Sequence, residues 1–537
     1  MNTKMTSSNA RRWLLVVLIG TISFASGGWL LHGSDDAPDL NGDQLFQQVL
    51  GAVTQYYVDS LPSDTLMHKA AQGMLDQLGD PYSTLLEGED YRQLTEQTTG
   101  NYGGLGIQID VRGGVIVVVA PLPNTPAERV GIEAGDQIVA VEGVSTQGLN
   151  QDQALKTLRG EPGSTVEIQV RRPGLAQLLP FRIKREVIHN RSVQPGTMLN
   201  PTVGIVQLNP VSETSAEELE EEIERLRKGG MRQLVLDLRR NPGGLLDQGV
   251  AVSDLFLDPG QQIVSTRGRA EGMSRSFADE RDQKWQEMPV VVLVDQWSAS
   301  AAEIIAGALQ DNDRAAVVGT PTFGKGLVQS LFRLGTGRAL KLTTARWFTP
   351  SGRSIQRDSK SEEEQVREAQ AIEEGGAELS LDSLPTHKTI SGRLVRGGGG
   401  IVPDRVVRGD TLTTGERDFI RGLGGNVATY RDALVGAAIE IKERKLVTSE
   451  SFTVTDAMRA LVYQRLETKD VKLSDEEKAG GTRLLDDQLS YEIARYVFGR
   501  EAEIRRRAID DEQVREAIDL LSRGATPQAL MAEIVRQ

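Results

Sequence analysis

The chain has 537 residues, of which 39% are hydrophobic, so it is long enough for several domains with buried cores. Its formal net charge of −14 argues against a nucleic-acid-binding protein, which needs a basic face. There is no cysteine, which excludes disulfides, thiolate catalysis and cysteine-based zinc sites, and the four histidines show no ligand spacing.

Residues 1–31 predict a signal anchor or a signal peptide. Arg11 and Arg12 precede an almost wholly apolar run of 19 residues, 13–31. Small residues at 25–27 offer a cleavage site, but the apolar run continues beyond them. We favour an uncleaved anchor, which would place the catalytic part at the periplasmic face of the cytoplasmic membrane. Cleavage would release it into the periplasm.

Residues 40–100 predict an N-terminal helical segment. Leu45, Phe46 and Val49 recur at helical spacing, so we expect them to line a buried face. The motif Asp80-Pro81-Tyr82-Ser83 ends the helical pattern.

From residue 101 to 186 the pattern changes to strands joined by glycine turns. A continuous β-branched run at 115–120 follows the first glycine-rich turn, and the segment resembles a PDZ domain of the protease-associated type. In such a domain the turn presents N–H groups to a peptide's terminal carboxylate, and a strand edge accepts the peptide as an added strand. The predicted peptide-binding residues are Gly104, Leu105, Gly106, Ile107 and Arg159.

Arg159 has two interpretations. The resemblance to protease-associated PDZ domains implies that an arginine at this place helps to couple the peptide-binding domain to the active site. As an isolated residue, Arg159 is equally well explained as a solvated arginine at a turn. The sequence leaves both open.

Residues 187–409 predict an α/β unit, because strands alternate with helices. A capping box at Thr214 opens a charged helix that ends at Lys228. The acidic run at 217–224 predicts a solvated helix face. An acidic insertion, 361–390, predicts a flexible segment or a lone exposed helix.

The stretch 291–329 carries the candidate chemistry. A buried strand stops at the small-residue turn Ser298-Ala299-Ser300-Ala301, and an amphipathic helix is predicted from about Ala302 to Gln310. This turn would present the Ser300 hydroxyl beside backbone N–H groups that can stabilise an oxyanion. Lys325 lies between two glycines, where the backbone can approach another element closely.

Two other interpretations of this stretch compete. A serine at a helix start is most often only a cap, and a lysine between glycines is usually a surface turn. Residues 319–326 also nearly spell a phosphate-binding loop. However, Gly326 stands where that loop needs a hydroxyl for magnesium, and the residues that follow predict a strand instead of a helix.

Four separated motifs resemble the carboxyl-terminal processing (tail-specific) proteases, which are serine peptidases with a Ser–Lys dyad. They are LVLDLRRNPGG at 234–244, the stretch at 291–329, LKLTTARWFTPSGRSIQ at 340–356 and GGGGIVPD at 397–404. The resemblance implies that Ser300 is the nucleophile, Lys325 the general base and Gln329 the residue that orients the lysine amine. It also implies that the backbone N–H groups of Gly244 and Ala301 bind the oxyanion.

The sequence departs from this family pattern at Arg240, where asparagine is more usual, and at Ala302, where serine is frequent. Neither position belongs to the dyad.

A lysine that acts as a base must be neutral. Since a free lysine has a pKa of about 10.4, keeping it neutral at pH 7 costs about 4–5 kcal/mol. Burial among apolar groups lowers a lysine pKa, so we expect Lys325 to lie in a dry pocket when the enzyme is active.

Residues 410–537 predict a C-terminal all-helical extension, to which the sequence assigns no chemistry. The expected fold is therefore multidomain: an α/β protease core with an inserted PDZ domain, an N-terminal helical segment and the C-terminal extension.

We predict a serine endopeptidase that binds exposed protein C-termini and cleaves near the tail or processively, without metal, nucleotide or other cofactor. The expected partners are disordered protein tails, an activating adaptor and further copies of the chain. The alternative is a non-catalytic tail-binding adaptor or chaperone on a protease scaffold.

Overall fold

The computed structural model of the chain describes residues 41–112, 114–357, 362–373 and 384–536. The predicted anchor at 1–31 lies outside these residues. Among the helices in the described ranges, none is both long and apolar enough to cross a membrane. The chain divides into two compact units, Met1–Leu78 and Gly79–Gln537.

The described part of the first unit consists of two helices, α1 (Gly42–Tyr56) and α2 (Ser63–Asp76). α1 begins with a capping box, in which the side chains of Asn41 and Gln44 each accept the other's backbone N–H. Neither helix has a buried residue, and Leu45, Phe46 and Val49 are exposed. The prediction of a buried face is therefore wrong for these residues, because two short helices do not enclose a core.

The second unit begins with β1 (Thr84–Glu87) and α3 (Gly88–Thr99), which lead into a small β-rich domain. Its strands are β2 (Asn101–Gly104), β3 (Ile107–Arg112), β4 (Val115–Pro121), β5 (Gln137–Val141), β6 (Val144–Ser145), β7 (Thr165–Arg171), β8 (Leu179–Lys184) and β9 (Glu186–His189). Its helices are α4 (Pro126–Arg129) and α5 (Gln151–Leu158).

The main sheet of this β-rich domain has the order β3-β4-β5-β7-β8, with β6 on β5, while β2 pairs with β9. Side chains alternate strictly along β7, where Val166, Ile168 and Val170 are buried and their neighbours are exposed. A period of two is the pattern of a strand with one face on a core. The buried residues of this sheet and of α5 form one hydrophobic cluster.

In the described residues between 197 and 406, the larger core comprises twelve strands and four helices. The strands are β10 (Thr197–Met198), β11 (Val203–Gln207), β12 (Gln233–Asp237), β13 (Gln262–Gly268), β14 (Arg275–Ala278), β15 (Val290–Val294), β16 (Ala316–Gly319), β17 (Leu327–Arg333), β18 (Arg338–Phe348), β19 (Thr386–Lys388), β20 (Leu394–Arg396) and β21 (Arg405–Val406). The helices are α6 (Ser215–Lys228), α7 (Leu246–Asp254), α8 (Ala301–Asp311) and α9 (Glu362–Glu373).

Two sheets organise this core. A six-stranded sheet has the order β10-β11-β12-β15-β16-β21, and all its pairs except β10–β11 are parallel. A second, antiparallel sheet has the order β1-β18-β13-β14, with β17 also paired to β18. The serine turn, residues 298–301, follows strand β15 of the parallel sheet. The lysine loop, residues 322–326, leads into strand β17 of the antiparallel sheet.

The C-terminal part of the chain is helical, as predicted. Its helices are α10 (Thr414–Gly422), α11 (Val427–Glu443), α12 (Asp456–Glu467), α13 (Asp475–Gly480), α14 (Thr482–Phe498), α15 (Arg500–Asp510), α16 (Glu512–Arg523) and α17 (Pro527–Arg536). The buried residues of α10, α11, α12 and α14 form a hydrophobic cluster of their own.

The last three helices belong to the protease core. Val290, Val292 and Val294 of β15 join a cluster with α6, α7 and α8, whereas Val291 and Leu293 join one with α15, α16 and α17. Successive strand residues point to opposite faces, so helices cover both faces of the parallel sheet. The predicted C-terminal extension is thus two structures, a separate helical cluster and the second outer layer of the sheet.

Three predictions about core helices are wrong. Every residue of α8 is buried, so this helix is not amphipathic. The Thr214 side chain makes no capping bond to the helix backbone, because its hydroxyl donates to Glu218 Oε1 at 2.7 Å. The acidic face of α6 is not fully solvated, since Glu218 and Glu222 are buried. Their carboxylates accept the backbone N–H groups of Val193 and Gly196.

The acidic insertion also differs from the prediction of a flexible or lone exposed segment. Its described residues 362–373 form α9, in which Gln365, Ala369 and Ile372 are buried. Glu373 accepts hydrogen bonds from Arg240 at 2.8 Å and from the Trp297 indole at 3.0 Å. α9 therefore packs beside the loops that carry the candidate site.

Leu520→Ala on α16 tests whether the terminal helices are part of the core. Leu520 is fully buried, so we expect the free energy of unfolding to fall by about 2–5 kcal/mol, and hydrogen exchange in β12 and β15 to accelerate. The matched variant Arg515→Ala alters an exposed side chain of the same helix and should change stability by less than about 0.5 kcal/mol. Unchanged exchange in both strands would contradict the assignment.

Candidate active site

The Ser300 turn is a strained junction between β15 and α8. Ser300 has φ 53° and ψ −116°, a region that costs a non-glycine residue about 1–3 kcal/mol. Three hydrogen bonds hold the turn: Ser298 Oγ to Leu238 O (2.8 Å), Ala299 N to Asn241 O (2.9 Å) and Ser300 N to Glu303 Oε2 (2.8 Å). The serine that the sequence singled out therefore lies where surrounding contacts fix an unfavourable backbone conformation.

The glycine loop, residues 241–244, lies directly against this turn. A Cβ added at Gly243, which has φ 90°, would lie 2.6 Å from Ala299 O and 2.8 Å from Ser300 Cβ. A Cβ added at Gly244 would lie 1.9 Å from Val211 O. Such distances leave no room for a side chain, so glycine is required at 243 for the loop to approach the serine turn and at 244 for it to approach Val211.

The two predicted oxyanion donors are available. Gly243 O and Leu245 N bond to Val211, whereas in the described structure neither Gly244 N nor Ala301 N donates to a protein acceptor. The added Cβ of Gly243 would also lie 2.8 Å from Ala301 N, so the glycine loop and the first helical N–H are neighbours. Unpaired N–H groups beside a serine hydroxyl are the geometry that stabilises an oxyanion.

The Lys325 loop docks on the same turn through its backbone. Phe323 N donates to Ser298 O at 3.0 Å, and Trp347 N donates to Gly326 O at 2.9 Å. Gly324 has φ 86°, and a Cβ there would lie 2.9 Å from the Arg357 side chain. The glycines flanking Lys325 thus allow close approach, as predicted, and the strand β17 follows in place of the helix of a phosphate-binding loop.

Glu303, which sequence reasoning missed, joins the serine turn to the lysine loop. Its Oε2 accepts Ser300 N at 2.8 Å and Lys325 N at 2.9 Å. Its Oε1 accepts Gly324 N at 2.7 Å and Thr322 Oγ1 at 2.5 Å. A lone carboxylate in the otherwise apolar start of α8 was the signal that could have identified it.

The carboxylate of Glu303 is fully buried. Burial raises its pKa, and the hydrogen bonds from Thr322, Lys325, Gly324 and Ser300 oppose that change. Because all four partners donate to it, the carboxylate form satisfies them without any proton of its own.

The side chain of Lys325 is half-buried, with its Nζ 4.2 Å from the centre of the Tyr82 ring. The expected dry pocket around Lys325 is therefore only partly formed in this structure.

Gln329 lies on β17, where its amide nitrogen donates to Thr343 Oγ1 at 3.4 Å. Its role in orienting the lysine amine stays a prediction.

The predicted peptide-binding residues line a small cleft of the β-rich domain between β3 and α5. Gly104, Leu105, Gly106, Ile107 and Arg159 all contribute to it, together with Tyr102 and Leu158. Gly106 has φ 74°, and a Cβ there would lie 2.2 Å from the Thr125 side chain. Within the described chain neither Leu105 N nor Gly106 N donates to another residue, so both can receive a carboxylate.

Arg159 is not a solvated turn residue. It donates to Glu96 of α3 at 2.8 Å, and its guanidinium lies 4.5 Å from the centre of the Tyr102 ring. The arginine thus connects the cleft to the helix that precedes the β-rich domain. The prediction that Arg159 couples peptide binding to the active site stays a prediction.

Comparisons with known proteins agree on one family. The family model for peptidase family S41 matches residues 202–363, and that for PDZ domains matches residues 117–172. The carboxy-terminal processing protease CtpA of Bacillus subtilis (strain 168) is 35% identical over 343 residues, 63% of this chain and 72% of the relative. The carboxyl-terminal-processing protease of Picosynechococcus sp. is 42% identical over 287 residues, 53% of this chain and 69% of the relative.

Among solved structures, the photosystem II D1 C-terminal processing protease is 28% identical. The alignment covers 63% of this chain and 98% of that protein, with a TM-score of 0.33.

Gly243→Ala and Gly260→Ala test the need for close approach at the serine turn. Both glycines have similar positive φ values, 90° and 85°, but only Gly243 has neighbours within 4 Å of an added Cβ. We expect Gly260→Ala to lower the free energy of unfolding by about 1–2 kcal/mol from backbone strain alone. Gly243→Ala should cost a further ~1–3 kcal/mol by displacing the Ser300 turn. If urea denaturation shows the same loss of unfolding free energy for Gly243→Ala and Gly260→Ala, the glycine loop does not pack tightly against the Ser300 turn.

Proposed function

The chain belongs to the carboxy-terminal processing proteases, serine proteases with a peptidase S41 core and a PDZ domain, and on this premise we propose that Ser300 and Lys325 form its catalytic dyad. One observation carries the proposal. The Glu303 carboxylate accepts the backbone N–H of both residues, at 2.8 Å and 2.9 Å, so the nucleophile and the base are fixed to one group. This shared contact supports a single site built from residues 25 positions apart in sequence.

In the proposed mechanism the neutral Lys325 amine removes the proton from the Ser300 hydroxyl. The Ser300 Oγ then attacks the carbonyl carbon of a substrate peptide bond and forms a tetrahedral intermediate. When the intermediate collapses, the leaving amine takes the proton from Lys325 and an acyl-enzyme remains. Water, deprotonated by the same lysine, releases the product acid and restores the serine.

The oxyanion of each tetrahedral intermediate would accept hydrogen bonds from Gly244 N and Ala301 N. Two features support this assignment: both N–H groups are unpaired in the described protein, and both adjoin the Ser300 turn. Each donor of this kind is worth about a hundredfold to a thousandfold in rate.

We further propose that the PDZ domain binds the free C-terminus of a protein substrate. The Leu105 and Gly106 N–H groups would receive the terminal carboxylate, and the peptide would extend along the cleft between β3 and α5. Cleavage would follow near the tail or processively. A disordered tail fits best, because the chain must be extended to reach both sites.

The remaining proposals concern location and partners. Arg11, Arg12 and the apolar run 13–31 support anchorage at the periplasmic face of the cytoplasmic membrane. Binding of an activating adaptor and assembly of several copies are further proposals.

A cleavage assay on the detergent-solubilised full chain tests the dyad. A protein with a disordered apolar C-terminal tail is the substrate, and mass spectrometry follows its products without added metal or nucleotide. We expect Ser300→Ala and Lys325→Met each to lower kcat/KM by at least about a thousandfold while the fold is kept. The control Lys284→Met removes a surface lysine that is ion-paired to Glu220 and should leave the rate unchanged.

Retained cleavage in Lys325→Met would contradict the dyad. Tail binding by all variants with no cleavage, even by the natural sequence, would favour a tail-binding adaptor on a protease scaffold.

Binding of short tail peptides to the Ser300→Ala chain tests the carboxylate site without cleavage. We expect a peptide with a free C-terminus to bind at least about tenfold more tightly than its C-terminal amide, because the amide has no charge for the turn to receive. Gly106→Ala should abolish that difference, whereas Gly148→Ala, with φ 84° and no neighbour within 4 Å of an added Cβ, should preserve it. Fluorescence anisotropy measures both, and equal affinity for acid and amide would refute the site.

A further inference from the structure

Tyr82 lies against the lysine amine of the site, yet it has no part in the mechanism proposed above. The Lys325 Nζ is 4.2 Å from the centre of its ring, although the two residues are 243 positions apart in the chain. The Tyr82 side chain is only 5% exposed, so the ring is a fixed wall of the site.

The backbone of Tyr82 is held on the antiparallel sheet. Tyr82 N donates to Asp80 Oδ1 at 3.2 Å, and Ser83 N donates to Asp80 O at 3.3 Å, which closes a turn. Thr343 N of β18 donates to Ser83 Oγ at 3.0 Å. β1 follows at once and pairs with β18, so the turn is attached to the strand that also pairs with β17 beyond the lysine.

The other end of the ring is held by the acidic insertion. The Tyr82 hydroxyl donates to Gln365 Oε1 of α9 at 2.9 Å, and Gln365 is itself buried. α9 is attached to the rest of the site by Glu373, which accepts from Arg240 and Trp297. The ring therefore has one defined position relative to both the lysine loop and the loop before the oxyanion donors.

The face of an aromatic ring carries partial negative charge and attracts an ammonium group. A lysine side chain has four rotatable bonds, so a base built from lysine needs something to restrict its amine. We propose that Tyr82 is a positioning residue for Lys325: its ring face holds the amine in the site, and Gln365 holds the ring. This inference rests on the proposed role of Lys325 as the base.

Other charged groups also surround the lysine loop. Glu303 of α8 accepts the Lys325 N–H, Arg357 donates to Thr322 O, and Glu368 of α9 pairs with Arg357 at 3.3 Å. Arg346 of β18 is paired in register with Leu327. Substitutions at position 82 leave all four groups in place, so changes in the lysine amine can be assigned to the ring.

Competitive labelling of the full chain with trace acetic anhydride over a pH series tests the contact without any substrate. Mass spectrometry of the Lys325 peptide gives the pKa of its amine. Phenylalanine and pentafluorophenylalanine are placed at position 82 by stop-codon suppression, since these rings have similar shape but opposite charge on their faces. We expect the fluorinated ring to lower the pKa of Lys325 by about half a unit to one unit relative to phenylalanine. Lys284 on the surface serves as the internal control.

Cleavage kinetics provide the second reading. The acid limb of kcat/KM should move to lower pH by the same amount in the fluorinated variant, because an amine that is less stabilised as ammonium deprotonates earlier. Gln365→Leu should lower kcat several-fold with little change in KM, and Gln365→Glu, which keeps an acceptor for the Tyr82 hydroxyl, should restore it.

The two readings separate this inference from the proposed function. An unchanged Lys325 pKa in the fluorinated chain, with cleavage intact, would overturn the role of Tyr82 and leave the dyad standing. A shifted pKa in a chain that cleaves nothing would support the contact and count against the dyad.

Discussion

A single buried carboxylate, that of Glu303, holds the candidate site together. A serine hydroxyl and a lysine amine can act as nucleophile and base only if two separate segments of chain are fixed to within a fraction of an ångström. Glu303 does this by accepting the backbone N–H groups of Ser300, Gly324 and Lys325 and the hydroxyl of Thr322. Since an unsatisfied buried donor costs about 1–3 kcal/mol, all four donors favour the same arrangement.

The rest of the fold supports that junction from both sides. The strained Ser300 turn follows strand β15 of the parallel sheet. The glycine loop after β12 can pack against this turn because Gly243 has no side chain. Helices from the far C-terminus cover the second face of this sheet, and Arg239, one residue before Arg240, pairs with Asp511. The antiparallel sheet holds Tyr82 on one side of β18 and carries the strand after Lys325 on the other.

The sequence predicted the parts of the site that depend on residue type at fixed spacing. Ser300 and Lys325 were singled out by residue type and family motif, Gly244 by the family motif alone, and the glycines flanking Lys325 because they allow close backbone approach. Glu303 was missed because a glutamate at the third helix position is an ordinary helix-start residue until its partners are known. The helices at the C-terminus were predicted, but their packing on the parallel sheet was not, and neither was the contact of Tyr82 with Lys325, because these contacts join residues more than two hundred positions apart. The α8 helix was misjudged because its polar side chains, among them Glu303 and Gln310, are buried and satisfied by hydrogen bonds inside the core.

The reactivity of Ser300 towards a fluorophosphonate is the most direct measurement of whether Lys325 and Glu303 activate it. Intact-mass and peptide mass spectrometry would follow the rate at which the full chain is labelled, with no dependence on substrate choice or tail binding. We expect one label, on Ser300, and a large loss of rate in both Lys325→Met and Glu303→Gln at equal folded fraction. Labelling of Ser300 at the natural rate in Lys325→Met, or labelling of a different serine, would contradict a dyad held by the buried carboxylate.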